Sequence, residues 1–273
     1  MPTPQRFLGD DPMPAIGLGT WRLAGDSGAG VVNDALDLGY RHLDTAQMYG
    51  NEAAVGAGMA SSNVVRHEIF LTTKIDDHHH HPTDFDRSLD ESLVRLGTDY
   101  VDLLLIHWPV EWDIMVDTLR SLAAAKADGR ARHVGVSNFE PDQVDFALDR
   151  APIEVNQIEY HPLLGQDALV EQARDRGLLI TAYCPIARNE VAQDPACVQV
   201  AQRIGMTPAQ VALGWLLAQD HVAAIPQTSN QGRLVENLAA GTLKLRAEDI
   251  EAINATQKDL RIVSPPKSPW RSR

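Results

Sequence analysis

Short apolar runs alternate with segments of helical period along most of the chain. The strand candidates are Ala15–Gly19, Tyr40–Asp44, Ile69–Thr73, Val101–Ile106, His133–Val136, Ile153–Ile158, Leu178–Tyr183 and Val222–Ile225. Most positions in these runs are apolar, without strict alternation, as a parallel strand covered on both faces requires, and Tyr40–Asp44 fits the pattern least. In the intervening segments, Phe85, Leu89, Leu93 and Leu96 share one helical face, with Thr83 and Asp86 spaced as a capping box in front of it. Met115, Leu119, Leu122 and Ala123 repeat the pattern before Gly129. Val170 and Ala173 precede Gly177, and Val211, Leu213, Leu216 and Leu217 follow Pro208. The glycines stand where helix C-caps belong. Prolines concentrate at the ends, in Pro2, Pro4, Pro12 and Pro14 and in Pro265, Pro266 and Pro269, and predict irregular ends.

Eight strand–helix units in 273 residues predict an α/β chain folded as a (β/α)8 TIM barrel, a fold of typically about 250 residues in one domain. Residues 1–273 are accordingly read as one barrel domain. A doubly wound dinucleotide-binding sheet is disfavoured, because Gly17, Gly19, Gly25, Gly28 and Gly30 lack the GxGxxG spacing. Composition then narrows the partners. Lys and Arg number 24 against 37 Asp and Glu, a net charge of −13, which is a poor match for a nucleic-acid backbone. No apolar run approaches the length of about 18 residues that spans a bilayer, and the start MPTPQRFLGDDPMP lacks the basic and apolar regions of a secretory signal. Two cysteines, Cys184 and Cys197, cannot build a disulfide framework. The expectation is a cytoplasmic enzyme with no nucleic-acid or membrane partner.

In such a barrel, chemistry sits at the C-terminal ends of the strands. Polar residues recur there: Asp44 with Tyr49 five residues on, Lys74, His107, then Ser137 and Asn138, with Asn156 and Gln157 in the sixth strand. Each alone has a packing explanation. Together at one mouth, Asp44, Tyr49, Lys74 and His107 form a chemical set. A tyrosine, with its ordinary pKa near 10, is a poor acid at neutral pH. A nearby ammonium favours the phenolate, and a carboxylate beside that ammonium keeps it charged when buried. His107 can hydrogen-bond a carbonyl oxygen and orient it. The set is a general acid aimed at an oxygen that gains negative charge. That suits carbonyl reduction, with the hydride coming from a cofactor because no side chain supplies one.

Seven blocks carry a resemblance over nearly the whole chain: GLGTW (17–21), GYRHLDTAQMYGNE (39–52), LTTKI (71–75), DYVDLLLIHWP (99–109), GVSNF (135–139), NQIEYHP (156–162) and IPQTSNQGRLVENL (225–238). They resemble the aldo-keto reductase family. The tail RIVSPPKSPW (261–270) is similar to that of the prokaryotic 2,5-diketo-D-gluconate reductases of B type. The resemblance implies a barrel that binds NADPH extended, a C-terminal tail over the barrel mouth, and reduction of small aldehydes, dicarbonyls, keto sugars or keto esters. It makes Tyr49 the acid, Lys74 and Asp44 its tuning pair, and His107 the carbonyl-orienting group. It places Trp21 and Trp108 on the substrate as well. Around the cofactor it puts Gly19, Thr20, Trp21, Ser137, Asn138, Gln157, Tyr183, Cys184 and Ile186. Gln227, Thr228, Ser229, Arg233, Glu236 and Asn237 would meet its adenosine end, where a helix N-terminus is prepared for an anion. A monomer is the family-like expectation.

The chain also departs from the pattern. Gln227 stands where the family commonly has Lys, which removes a charge from the 2′-phosphate site and leaves Arg233 as the cation. NADPH is still expected to be preferred, with NADH accepted at reduced discrimination. Asp76 and Asp77 replace an aromatic wall, and the loop Val110–Asp113 is short, so an open pocket is expected. No metal is expected at His78–His81, since four adjacent side chains cannot converge on one ion. Cys184 stands where Ser is common, either as a reactive thiol or as a small apolar residue. Two other functions stay open: a Schiff-base lyase using Lys74 as nucleophile, and a non-catalytic cofactor-sensing barrel subunit.

Overall fold

The structure, a computed structural model, describes residues 4–271; Pro2 lies outside the described residues. The chain opens with an antiparallel hairpin, β1 (Gln5–Leu8) and β2 (Asp11–Pro14). This corrects the expectation of an irregular N-terminal end. The hairpin has only two strands, so a proline can face its unpaired edge without costing a ladder bond. Gly9 at φ +59° makes the turn. Eight parallel strands follow: β3 (Leu18–Gly19), β4 (His42–Asp44), β5 (Phe70–Ile75), β6 (Val101–Ile106), β7 (Ala131–Ser137), β8 (Val155–Glu159), β9 (Leu179–Tyr183) and β10 (Val222–Ala224). Each pairs with the next in chain order. The cylinder closes through an isolated parallel bridge, Ile16 to Ala224. Across that seam Gly17 N donates to Ala224 O at 2.9 Å and Gly19 N to Pro226 O at 3.1 Å. A Cβ on Gly19 would lie 2.7 Å from the Ile225 carbonyl oxygen, so glycine is required for the close approach. The architecture is the expected (β/α)8 barrel.

Side-chain alternation divides the strands into an inner and an outer core. On β6, Leu103 and Leu105 point inward to a cluster with Phe70, Val155, Leu179 and Ala223. Leu8 and Met13 of the hairpin join this cluster and close the floor of the barrel. Leu104 and Ile106 point outward and join the larger core under the helices. The hairpin is tied on by Arg6, whose guanidinium donates to Val222 O at 2.7 Å and Leu217 O at 2.8 Å. His133 holds it as well, between Asp11 Oδ2 at 3.1 Å and Glu154 Oε1 at 3.0 Å.

The outer layer is α1 (Gly25–Leu38), α2 (Glu52–Ser61), α3 (Pro82–Leu96), α4 (Met115–Ala127), α5 (Pro141–Leu148), α6 (Asp167–Arg176), α7 (Pro195–Ile204), α8 (Pro208–Leu217), α9 (Gln231–Ala240) and α10 (Ala247–Asn254). Gly97 ends α3 and Gly177 ends α6, both left-handed. The proposed Thr83/Asp86 capping box is not formed. Pro82 takes the first helical position, His81 is the N-cap without a side-chain cap bond, and Thr83 falls inside the first turn. Among the described residues no helix is long and apolar enough to cross a membrane.

Candidate active site

The C-terminal ends of the strands surround a cavity of about 540 Å³. Asp44 ends β4 and Lys74 lies on the adjoining β5, one strand over, so the pleat brings both side chains to one point. Lys74 Nζ donates to Asp44 Oδ1 at 2.5 Å, to Thr45 O at 2.8 Å and to Tyr49 Oη at 3.4 Å. Lys74 is 0% exposed and Asp44 1%. Gln157 of β8 reaches across the barrel and donates Nε2 to Asp44 Oδ2 at 2.7 Å. Tyr49 arrives on a single 3-10 turn, Gln47–Tyr49, closed by Gly50 at φ +63°. His107 directly follows β6, and its ring meets Tyr49 edge-on at 5.8 Å between centroids.

These contacts set the charges. Burial alone would lower the Lys74 pKa, but Asp44 and Tyr49 outweigh it and hold the ammonium above its ordinary value. Burial raises the Tyr49 pKa, and the Lys74 charge pulls against it without overcoming it. The ammonium therefore offsets the cost of a buried phenolate but does not make Tyr49 ionise. Burial, Lys74 and His80 drive His107 well below its ordinary value, so the ring is neutral. The trio is a neutral phenol and a neutral imidazole over a charged amine. It can deliver a proton, or a hydrogen bond, to an oxygen in the cavity.

A second group of predicted residues forms the wall beside it. Ser137 Oγ donates to Gln157 O at 2.9 Å, and Asn138 Nδ2 donates to His107 O and Ser137 Oγ at 3.0 Å each. Tyr183 Oη donates to Asn138 Oδ1 at 2.7 Å. Asn138 holds φ +64° to do this, a conformation asparagine tolerates better than most residues. Gly19, Thr20, Trp21, Trp108, Cys184, Ile186 and Gln227 also line the cavity. Burial pushes the Cys184 thiol up to about 11, so it stays protonated and is a poor nucleophile.

Thr228, Ser229, Arg233, Glu236 and Asn237 lie outside the cavity lining, on the adjoining loop and the first turns of α9. Asn230 Oδ1 caps that helix by accepting from Arg233 N at 3.0 Å. Arg233, Glu236 and Ser229 are exposed, while Thr228 and Asn237 are buried. Among the described residues, no three His, Cys, Asp or Glu side chains gather as metal ligands.

Other wall residues were not anticipated. Arg188 lines the cavity with its guanidinium 5.6 Å from the Trp21 ring centroid. It sits in a run of left-handed residues, Ala187 to Asn189, which no glycine announced. The tail supplies Ile262, Val263, Ser264, Pro265 and Lys267. Glu159, buried at the end of β8, anchors the tail by accepting from Ile262 N at 2.6 Å and Val263 N at 2.8 Å. Lys267 pairs with Asp77 and lies over Trp108, whose ring also meets Trp270 at 5.6 Å. The expected tail over the mouth is therefore present, and it covers part of the opening that a short 110–113 loop and the lost aromatic wall had suggested.

A family model described as the aldo/keto reductase family matches residues 15–258. The methylglyoxal reductase DkgB of Escherichia coli O157:H7 is 41% identical over 258 residues, 93% of this chain and 96% of that one. The crystal structure of a candidate 2,5-diketo-D-gluconic acid reductase B superposes at a TM-score of 0.91 with 40% identity, covering 94% of this chain and 92% of the other. An aldo-keto reductase from Bombyx mori, solved in complex with NADP, superposes at 0.88 with 30% identity over 97% and 96% of the two chains.

Proposed function

The chain belongs to the aldo/keto reductase family, and from that premise we propose that it reduces small aldehyde and ketone carbonyls to alcohols with NADPH, Tyr49 acting as general acid. The observation that carries the assignment is the buried ammonium of Lys74, held between Asp44 Oδ1 and Tyr49 Oη. The wall residues fit a nicotinamide cofactor. Tyr183 presents a half-buried ring to the cavity, fixed through its hydroxyl to Asn138. Ser137, Asn138 and Gln157 form an amide-binding set beside it, and Gln157, having donated to Asp44, keeps its carbonyl oxygen to accept from a carboxamide. Gly19, Thr20, Trp21, Cys184 and Ile186 would line the nucleotide's path. Gln227, Thr228, Ser229, Arg233, Glu236 and Asn237 would hold its adenosine end, with Arg233 as the charged fork at the 2′-phosphate.

When bound, the nicotinamide supplies the hydride. His107 donates a hydrogen bond to the substrate carbonyl and fixes its approach. Trp21 and Trp108 contact the rest of the substrate. As negative charge grows on the carbonyl oxygen, Tyr49 gives up its proton. Lys74 stabilises the resulting phenolate, and Asp44 keeps Lys74 charged. Relatives named for methylglyoxal and for 2,5-diketo-D-gluconic acid support small dicarbonyls and keto sugars as the substrate class. In this reading residues 1–273 act as one domain, as a monomer, in the cytoplasm.

The same observation weighs against a Schiff-base lyase. Lys74 is fully buried, lies behind the cavity lining and keeps its proton through Asp44. Tyr49→Phe is the decisive variant. Reduction of methylglyoxal should fall by at least about a hundredfold, while quenching of protein fluorescence by NADPH persists. Reduction at the wild-type rate would overturn the assignment.

A further inference from the structure

The histidine run after β5 enters the chemistry above only through the effect of His80 on His107. His78 and His81 are exposed, and His79 Nδ1 meets Gln47 Oε1 at 3.2 Å. His80 is different. It is 0% exposed, and its backbone carbonyl is fixed by Thr118 Oγ1 at 3.0 Å. The Val110 carbonyl approaches its ring without a well-aligned hydrogen bond, neither ring nitrogen is otherwise paired with protein, and His107 Nδ1 and Asp77 Oδ1 are likewise without a protein partner. These four buried polar atoms belong to two neighbouring loops. The loops leave paired strands, Ile75 beside Ile106, and His107 N donates to Ile75 O at 3.3 Å. The two rings lie near enough that His80 contributes to keeping His107 neutral.

A neutral imidazole has one proton and two nitrogens. On Nε2 it makes His107 a donor toward a carbonyl oxygen; on Nδ1 it would turn a lone pair on that oxygen. Which nitrogen carries it is decided by the partner of the other. Buried polar atoms without protein partners are satisfied by enclosed water, which needs two to four of them. We propose that His80 is a positioning residue for His107: one enclosed water accepts from a His80 ring N–H, donates to His107 Nδ1, and so keeps the His107 proton on Nε2. Asp77 Oδ1 takes the second hydrogen of that water. This rests on His107 being the carbonyl-orienting group.

The test combines 15N shifts of labelled histidines with kinetics, the His107 signals being identified by their loss in His107→Asn. In the wild type near neutral pH, His107 Nδ1 should show the shift of an unprotonated nitrogen and Nε2 that of an N–H. In His80→Phe the two should average toward each other, with kcat/KM for methylglyoxal down about tenfold and KM for NADPH unchanged. His80→Gln, which keeps a donor, should restore both. A proton on Nδ1 in the wild type would overturn the proposal, as would a folded His80→Phe that keeps the wild-type shifts, or a folded His80→Gln that fails to restore them. The shifts require no turnover, so they stand or fall apart from carbonyl reduction. Should His80→Phe not fold, the wild type and His80→Gln still decide.

Discussion

Replacing Asp44 by Asn removes one charge and little volume. Lys74 is 0% exposed and has Asp44 as its carboxylate partner, with Thr45 O and Tyr49 Oη completing its contacts. Breaking a buried pair by removing one member costs about 3–5 kcal/mol, because the other charge is left uncompensated. The amide makes matters worse. Its NH2 must face either Lys74 Nζ or Gln157 Nε2, both of them donors that Asp44 now accepts from. At about 2–4 °C per kcal/mol for chains approaching this size, Asp44→Asn should melt about 6–20 °C below the wild type. Lys74 has one escape, to release its proton, since burial already pulls in that direction. Tyr49 would then lose the charge that opposes its burial, and reduction would fall with stability. Lys74→Met alone should be comparably destabilised, with Asp44 left as the buried charge. The double variant removes both charges and should be less destabilised than the sum of the two. Urea unfolding of the four proteins closes the cycle. A melting point for Asp44→Asn within about 2 °C of wild type, or additivity within about 0.5 kcal/mol, would refute the reasoning.

Gln227→Lys places an ammonium at the cavity rim, and the ratio of kcat/KM with NADPH to that with NADH should rise about tenfold; a ratio that stays or falls would show that the 2′-phosphate does not pass this position. Glu159→Gln weakens the bonds that hold Ile262 and Val263, so amide exchange should quicken across 261–270 before any effect on the barrel strands; unchanged protection there would mean the tail is held elsewhere. Burial lowers the pKa of His42, His80 and His107 below the ordinary value. Their neutral forms therefore stabilise the fold above the unfolded value near 6.5 and cease to do so as pH falls through the depressed folded values. Stability from urea unfolding should drop by up to about 1.4 kcal/mol per pH unit per histidine between about 6.5 and the depressed folded value, partly offset by His133, whose raised pKa works in the opposite sense; His80→Phe should show a shallower slope than the wild type, and an unchanged slope would contradict the burial of the His80 ring.

The sheet was legible where both faces of a strand are buried. Val101–Ile106 is the same in sequence and structure, because the inner and outer cores each demand apolar residues there. At Ala15–Gly19 only Leu18–Gly19 is regular strand, since the seam to β10 is made by an isolated bridge and not by a full ladder. The hairpin was illegible because Pro12 and Pro14 argue against a strand in any sheet with two neighbours, and its second edge has none. Asp44, Lys74 and His107 were legible as polar residues at the ends of apolar runs. Lys267 and Asp77 were not, because 190 residues separate them and no periodicity links a tail to a loop. Arg188 depends on left-handed backbone at Ala187 to Asn189, where asparagine alone is of a type that tolerates it, too little to announce the run.

The net charge of −13 sets a problem for any reading with an anionic cofactor, and the cavity lining resolves it locally. Among the described residues that line the cavity, Asp44 is the one carboxylate, and Lys74 neutralises it from below. Lys267 is matched by Asp77. Arg188 lines the same wall and stacks toward Trp21. The groups that face the cavity therefore sum to a small positive charge inside a strongly negative protein. Interactions between exposed charges are screened beyond about 8–10 Å at ordinary ionic strength, so the distant carboxylates count for little at the site. The global charge can slow the approach of an anion through its long-range field, but affinity is set by the lining. It follows that added salt should speed cofactor association, by screening the repulsive field, more than it weakens the bound state. A basic protein with the same lining would show the reverse.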